Sequence, residues 1–287
     1  MGRWLATPIL IVGFAMAVSE QDVRRPAGAS LLSGQASPRD PLVLTYVANM
    51  GVLVGSGDVK VLIDSLFDMP SSVQRVPTSG TLERIMKGEA PFDGIDLVLV
   101  THRHSDHLEP ARAVRYLEAH PESILVAPSD AVEAMRKAAR DWSRIEPRII
   151  SIDLKVREIV KREVARMRLT IVRTLHGQTR TPINLMYLIA VNGWRVFHGG
   201  DASGRPDDFL GFGLETEPVD LAIFSYGWAL GPHRHFLQEV LKPDHIALGH
   251  LHIRSEGDAP GRIGQLRRSF EDIFVLLPGM PARVFRR

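Results

Sequence analysis

The densest chemistry in this chain lies in seven consecutive residues, Thr101-His102-Arg103-His104-Ser105-Asp106-His107. They follow directly on Asp96-Leu97-Val98-Leu99-Val100, apolar after its first residue and therefore predicted as a strand buried on both faces. Alternate residues at a strand end or in an extended loop point the same way, so His102 and His104 can converge on one metal ion. Asp106 and His107 lie where the chain turns toward a helix and can face a second ion. Imidazole and carboxylate suit zinc, and also iron or manganese. The chain has no cysteine, which removes disulfides, thiolate nucleophiles, iron-sulfur clusters and Cys-containing zinc sites. Any metal must be held by His, Asp or Glu.

The elements that would position this segment can be read from apolar spacing and turn residues. Val43 to Val47, Gly51 to Val54 and Val59 to Ile63 are short β-rich runs separated by Asn49-Met50-Gly51 and Ser56-Gly57-Asp58, the pattern of an antiparallel meander. Residues 65 to 94 are irregular, with one short helix around Leu82 to Lys87, and are long enough to form a substrate-side loop. Beyond the histidine segment the sequence predicts a helix from Pro110 to His120, a strand from Ser123 to Ala127, and a helix from Asp130 to Asp141 capped by Ser129. Arg166 to Thr174 alternates as a half-buried strand. Asn184 to Val191 and Trp194 to His198 flank Asn192-Gly193, a strong hairpin signal. Leu221 to Ser225 and His245 to Leu248 read as buried strands, His235 to Leu241 and Ile263 to Phe270 as helices, and Phe274 to Leu277 as an edge strand. Two packed sheets with helices outside, in one domain, is the architecture these elements imply.

Composition agrees with a globular domain. The 287 residues are 45% hydrophobic and 24% charged, enough for a sizeable core and too apolar for wholesale disorder. The 35 Lys and Arg nearly cancel the 33 Asp and Glu, leaving a formal charge of +2, so nothing asks for a nucleic-acid partner. Residues 1–17 have a basic start, an apolar run from Trp4 to Val18 and an Ala15-Met16-Ala17 cleavage pattern, which reads as a signal peptide for export to the periplasm or outside the cell. That run is shorter than the ~20 apolar residues of a membrane span, so no stable membrane insertion is expected once it is removed. Residues 18–41, rich in Ser, Pro, Gly and charge, read as a flexible tether, and 42–287 as the folded domain.

The pattern HxHxDH after an apolar strand resembles the metallo-β-lactamase superfamily of metallo-hydrolases. The resemblance covers the chain from about Val43. It implies a four-layer αββα sandwich, an α/β (α+β) fold, with one or two divalent metal ions, zinc first and manganese or iron as alternatives, at the edge of the sheets. Later family motifs match His176 in Thr174-Leu175-His176-Gly177, Asp201 in His198-Gly199-Gly200-Asp201, and His250 in Leu248-Gly249-His250. The resemblance then assigns His102, His104 and His176 to one metal and Asp106, His107 and His250 to the other, with Asp201 bridging. His252 competes with His250, which is preferred for its place at the strand end. Asp64, in Val61-Leu62-Ile63-Asp64, matches the family's upstream aspartate and would hold a ligand by hydrogen bonds, although a strand-end turn explains it equally.

Hydrolysis by a dinuclear metal-bound hydroxide is the reaction class this implies, with Asp106 orienting the water and taking its proton. The redox branch of the superfamily carries a carboxylate where this chain has His104. The phrases Ala48-Asn49-Met50-Gly51-Val52-Leu53-Val54 and Lys242-Pro243-Asp244-His245-Ile246 are similar to ascorbate-6-phosphate lactonases and phospholipase D-like phosphodiesterases. A small-molecule ester, lactone or phosphodiester is the expected substrate, with no separate cofactor-binding residues. A β-lactamase-type amide hydrolase, or a non-catalytic metal-binding protein that keeps the fold, are the alternatives. The aromatic loop Ser225 to His235 supplies Tyr226 and His233 as candidates for leaving-group or oxyanion contacts. Oligomeric state is left open by the sequence.

Overall fold

The computed structural model describes residues 40–69, 73–202, 211, 213–231 and 233–287. The expected signal peptide and nearly all of the expected tether lie outside these residues.

The N-terminal half opens with the predicted meander. Strands β1 (Leu42–Ala48), β2 (Gly51–Ser56) and β3 (Val59–Ile63) pair antiparallel. Helix α1 (Ser79–Lys87) begins three residues before its predicted start because the Thr78 side chain accepts from the Thr81 N–H, and it ends on Gly88 at φ +65°, a left-handed position free of strain only for glycine. Strand β4 (Leu97–Leu99), helix α2 (Pro110–Ala119), strand β5 (Ile124–Pro128), helix α3 (Ser129–Ala138) and strand β6 (Ile149–Ile152) follow. Ser129 is not the cap of α3. It is the first helical residue, after Pro128, and its hydroxyl donates to Asp153 instead.

The C-terminal half contains β7 (Ile159–Val164), β8 (Met167–His176), β9 (Thr179–Val191), β10 (Trp194–His198), β11 (Leu221–Ser225), α4 (Gly227–Leu230), a π-helical turn at Phe236–Leu241, β12 (His245–Gly249), α5 (Ala259–Leu266), β13 (Asp272–Val275) and β14 (Arg283–Phe285). The last predicted helix is displaced toward the N-terminus, starting at Ala259 with Pro260 in its first turn, a position where a missing N–H costs nothing. Asn192 and Gly193 both take positive φ, as a two-residue hairpin turn requires.

Among the described residues these strands form two seven-stranded mixed sheets, ordered β14-β1-β2-β3-β4-β5-β6 and β13-β12-β11-β10-β9-β8-β7. Three apolar clusters define four layers. One, including Leu44, Ile63, Leu99, Leu185, Tyr187 and Ile223, lies between the sheets. A second packs β4 and β5 against α1, α2 and α3 through Ile85, Val98, Val114, Leu117, Leu125 and Met135. A third packs β10, β11 and β12 against α4, the π-helical turn and α5 through Phe197, Phe224, Trp228, Phe236, Ile246 and Ile263. This is the αββα sandwich in a single domain. Each of the four apolar side chains from Leu97 to Val100 is at least 98% buried, contributing roughly 1.5–3 kcal/mol of transfer free energy apiece and fixing where the chain beyond them emerges. Among the described residues no helix is long and apolar enough to cross a membrane.

Candidate metal centre

The strand ends place seven side chains around one point. Thr101 to His107 leaves β4, His176 ends β8, Asp201 follows β10 through Gly199-Gly200, and His250 follows β12. Among the described residues three ligand sets lie close enough to hold an ion: His102, His104 and His176; Asp106, His107 and His250; and His102, His107 and Asp201, which joins the other two. The Asp201 carboxylate sits between the halves. Its Oδ2 lies 3.5 Å from His176 Nε2, 3.8 Å from His102 Nε2 and 3.1 Å from His250 Nε2, while Oδ1 lies 3.5 Å from His107 Nε2.

Local folding explains these positions. Gly200 turns at φ +54°, and a Cβ there would meet Asn184 Oδ1 at 2.7 Å and Thr101 Cβ at 2.8 Å, so the turn that delivers Asp201 has no room for a side chain. Asn184 Oδ1 accepts from the Asp201 N–H at 3.1 Å while its Nδ2 donates to Thr174 Oγ1 at 2.9 Å. The two sheets are tied together beside the site, with Tyr187 donating to the Val100 carbonyl at 2.7 Å and the Leu185 N–H to the Thr101 carbonyl at 2.9 Å.

Asp64 resolves the choice between a turn residue and a residue that holds a ligand by being both. It takes φ +44° after β3 and is 1% exposed. Its Oδ1 accepts from the Thr101 N–H at 2.8 Å, and its Oδ2 from the Thr101 hydroxyl at 2.6 Å and from His107 Nδ1 at 2.8 Å. Because the Thr101 hydroxyl spends its proton on Asp64, its oxygen accepts from His102 Nδ1 at 3.0 Å. One carboxylate thereby fixes the Nδ1 side of two imidazoles and turns Nε2 of both His102 and His107 toward the cluster.

Charge divides the site. Burial, then the neighbouring His107, drives the His102 imidazole well below its ordinary value, and burial with His176 lowers His104 too. Burial also opposes charge on His107, but Asp201 and Asp64 more than reverse it and raise that imidazole well above its ordinary value. His250 is likewise pulled down by burial and raised further by Asp201 and Asp106, to about 9. Burial alone would raise the Asp201 carboxyl; His107 and His250 hold it well below the usual carboxylate range. Asp106 shows the same balance, with burial outweighed by His250 and His107.

The site fits metal ions on an observation internal to the protein. His102 Nε2, His176 Nε2 and Asp201 Oδ1 are buried and have no hydrogen-bond partner. Three orphaned lone-pair atoms converging in one buried place are unfavourable for a protein alone and are what cation ligation satisfies.

A scan against protein families matches residues 60–259 to the family described as "Beta-lactamase superfamily domain". The chain belongs to the β-lactamase superfamily. No curated protein matches it. Among solved structures, this β-lactamase superfamily domain is similar to the metallo-β-lactamase fold protein YhfI from Bacillus subtilis, at 17% identity and TM-score 0.58 over 86% of this chain and 100% of that one. It is also similar to isothiocyanate hydrolase from Delia radicum gut bacteria, at 14% identity and TM-score 0.59 over 85% of this chain and 100% of that one. A third similar structure is CmlA, a diiron β-hydroxylase from Streptomyces venezuelae, at 12% identity and TM-score 0.50 over 88% of this chain and 55% of that one. At these identities the likeness shows the fold, which thus carries both hydrolases and a hydroxylase.

The remaining histidines have structural surroundings. His252 caps a short 3-10 turn, its Nδ1 accepting from the Arg254 N–H at 3.1 Å, which leaves His250 as the residue at the cluster. His198 is buried between the Met50 carbonyl and the Gly200 N–H, and His245 pairs with Asp272 at 2.8 Å. Neither Tyr226 nor His233 is among the metal-holding groups, although the Tyr226 N–H donates to the Gly249 carbonyl, next to His250, at 2.7 Å. Tyr226 packs in the apolar layer under α5, its hydroxyl without a hydrogen-bond partner, and His233 lies against Trp228 with ring centroids 5.1 Å apart. Thr101, Asn184 and Asn49 were not singled out by sequence reasoning as parts of the site. Thr101 and Asn49 lie within quoted motifs, but no ligand-like spacing marks them, because they act on ligands and not on the ions.

Proposed function

We propose that this chain is an exported, dinuclear metal-dependent hydrolase that cleaves an ester, lactone or phosphodiester bond in a small molecule. The observation that carries this reading is the convergence of seven His and Asp side chains from four strand ends, with orphaned atoms His102 Nε2, His176 Nε2 and Asp201 Oδ1 at its centre. His102, His104 and His176 would hold one ion, Asp106, His107 and His250 the other, and Asp201 both. Bound there, two divalent cations polarise the scissile bond and acidify a water, making a nucleophile available near neutral pH.

The protein groups do the rest. Asp64 and Thr101 keep Nε2 of His102 and His107 turned toward the cluster. Asp106, with 24% of its side chain exposed and its carboxyl held ionised, is the group placed to take the proton of the attacking water. Both oxygens of Asp201 remain unprotonated for the same electrostatic reason, so the bridging position keeps its negative charge. Export rests on the Trp4 to Val18 run and its Ala15-Met16-Ala17 pattern.

The test is to load the full chain with Zn or Mn and compare hydrolysis of an activated phosphodiester, an acyl lactone and a β-lactam, with His102→Ala as the blank. Faster metal-dependent turnover of the diester or the lactone supports the reading and decides between phosphoryl and acyl chemistry. Preference for the β-lactam moves the chain to the amide hydrolases, and no turnover above the blank overturns the hydrolase reading.

A further inference from the structure

Asp106 sits in the turn between β4 and α2, where no strand or helix fixes its backbone. Asn49, in the tight turn between β1 and β2, reaches it from 57 residues away. The Asn49 side chain is buried, and its Nδ2 lies 3.0 Å from the Asp106 carbonyl, 3.1 Å from Asp106 Oδ2 and 3.3 Å from His107 Nε2. Its backbone carbonyl accepts from the His250 N–H at 3.2 Å. One residue therefore touches Asp106, His107 and His250.

The amide can face only one way. Both Asp106 atoms are acceptors, so Nδ2 must point to them, and turning the amide over would set Oδ1 against two oxygens. The two Nδ2 hydrogens are taken by the Asp106 carbonyl and Oδ2. Neither hydrogen is given to His107 Nε2, whose ring is oriented by the Nδ1 proton it shares with Asp64. The cost of this orientation is visible at the other end, where Asn49 Oδ1 is buried without a partner. A turn asparagine ordinarily bonds its own nearby backbone. This one gives both hydrogens to Asp106, and the oxygen it fixes, Oδ2, is the one facing His250 Nε2 at 3.6 Å and His107 Nε2 at 3.8 Å. Close approach of the turn is built in, because a Cβ on Gly249 would lie 2.7 Å from the Asn49 carbonyl oxygen.

We infer that Asn49 is the positioning residue for the second of the two metal sites, presenting Asp106 Oδ2 and holding His250 beside it, while the His102, His104 and His176 site does not depend on it. This rests on the two-ion reading given above. The clean variant is Asn49→Gly, because Asn49 sits at φ +51° and glycine keeps that left-handed turn while deleting the amide.

The metal-free full chain would be titrated with Co(II), following ligand-field absorption and counting bound equivalents. Wild type should take two. Asn49→Gly should keep the affinity of the first equivalent and its spectrum, and lose about 10–100-fold in affinity for the second, the usual effect of removing an outer partner of a ligand. Asn49→Asp, which keeps the size and tolerates the turn but cannot donate, should show the same selective loss. An unchanged second equivalent in either variant, or equal weakening of both equivalents, overturns the proposal. Fewer than two equivalents in wild type instead removes the two-ion reading, so the two failures are distinguishable.

Discussion

The two halves of the metal centre are prepared in opposite ways. The His102, His104 and His176 half is all imidazole, with His102 pushed toward the neutral form by burial and His107, and His104 by burial and His176. The Asp106, His107 and His250 half is built with carboxylates around it, and Asp64, Asp106 and Asp201 hold protons on its histidines. One half is ready for a cation and the other must first release a proton. The difference follows from backbone placement: the first half takes its histidines from the ends of β4 and β8, whereas the second gathers a turn aspartate and a histidine at φ +51°, which need partners such as Asp64 and Asn49 to stay in place.

The strongest way to break this comparison is to remove what the halves share. Asp201→Ala takes a ligand from both, and metal-dependent turnover should fall on the order of 10³-fold, several kcal/mol of transition-state stabilisation being at stake. If only one ion is lost and turnover survives, Asp201 does not bridge. Asp64→Ala comes next. It strands the Thr101 N–H and the buried His107 Nδ1 and should cost about 3–5 kcal/mol in urea unfolding. Because Thr101 relays Asp64 to His102, it should weaken both metal equivalents, in contrast to Asn49→Gly.

A pH titration sharpens the contrast at smaller amplitude. His250, raised to about 9, carries a proton at neutral pH that a cation must displace. Affinity for the second equivalent should therefore rise with pH, about tenfold per unit for each proton released, with the His250 share levelling off above about 9. The first equivalent should be flat across the same range, since His102 is already neutral there; parallel slopes would erase the distinction. Smallest of all is Tyr226→Phe. The hydroxyl has no hydrogen-bond partner and the residue packs in an apolar layer, so metal content and turnover should both be unchanged, whereas a clear drop in turnover alone would support Tyr226 as a substrate contact.

Much of this was legible because the site is written in local spacing. The histidine segment follows a strand whose four apolar residues cannot be anything but buried, and Asn192-Gly193 fixes the hairpin that leads to Asp201. What escaped was written in contacts distant in sequence. β7 (Ile-Val-Lys-Arg-Glu-Val) lies at a sheet edge with most residues exposed, so it shows no alternation, and β14 is three residues long. β9 begins at Thr179, in a polar stretch before Pro182 that carries no strand signal. Asn49 looked like a turn residue and is one; its bond to Asp106 exists only once β1, β2 and β4 are assembled.

The most direct measurement is native mass spectrometry of the full chain at saturating Zn or Mn, beside His102→Ala and His250→Ala. Two ions on the wild-type chain and one on each variant is the expected result. A wild-type chain that never holds more than one ion would contradict a centre made of two unlike halves.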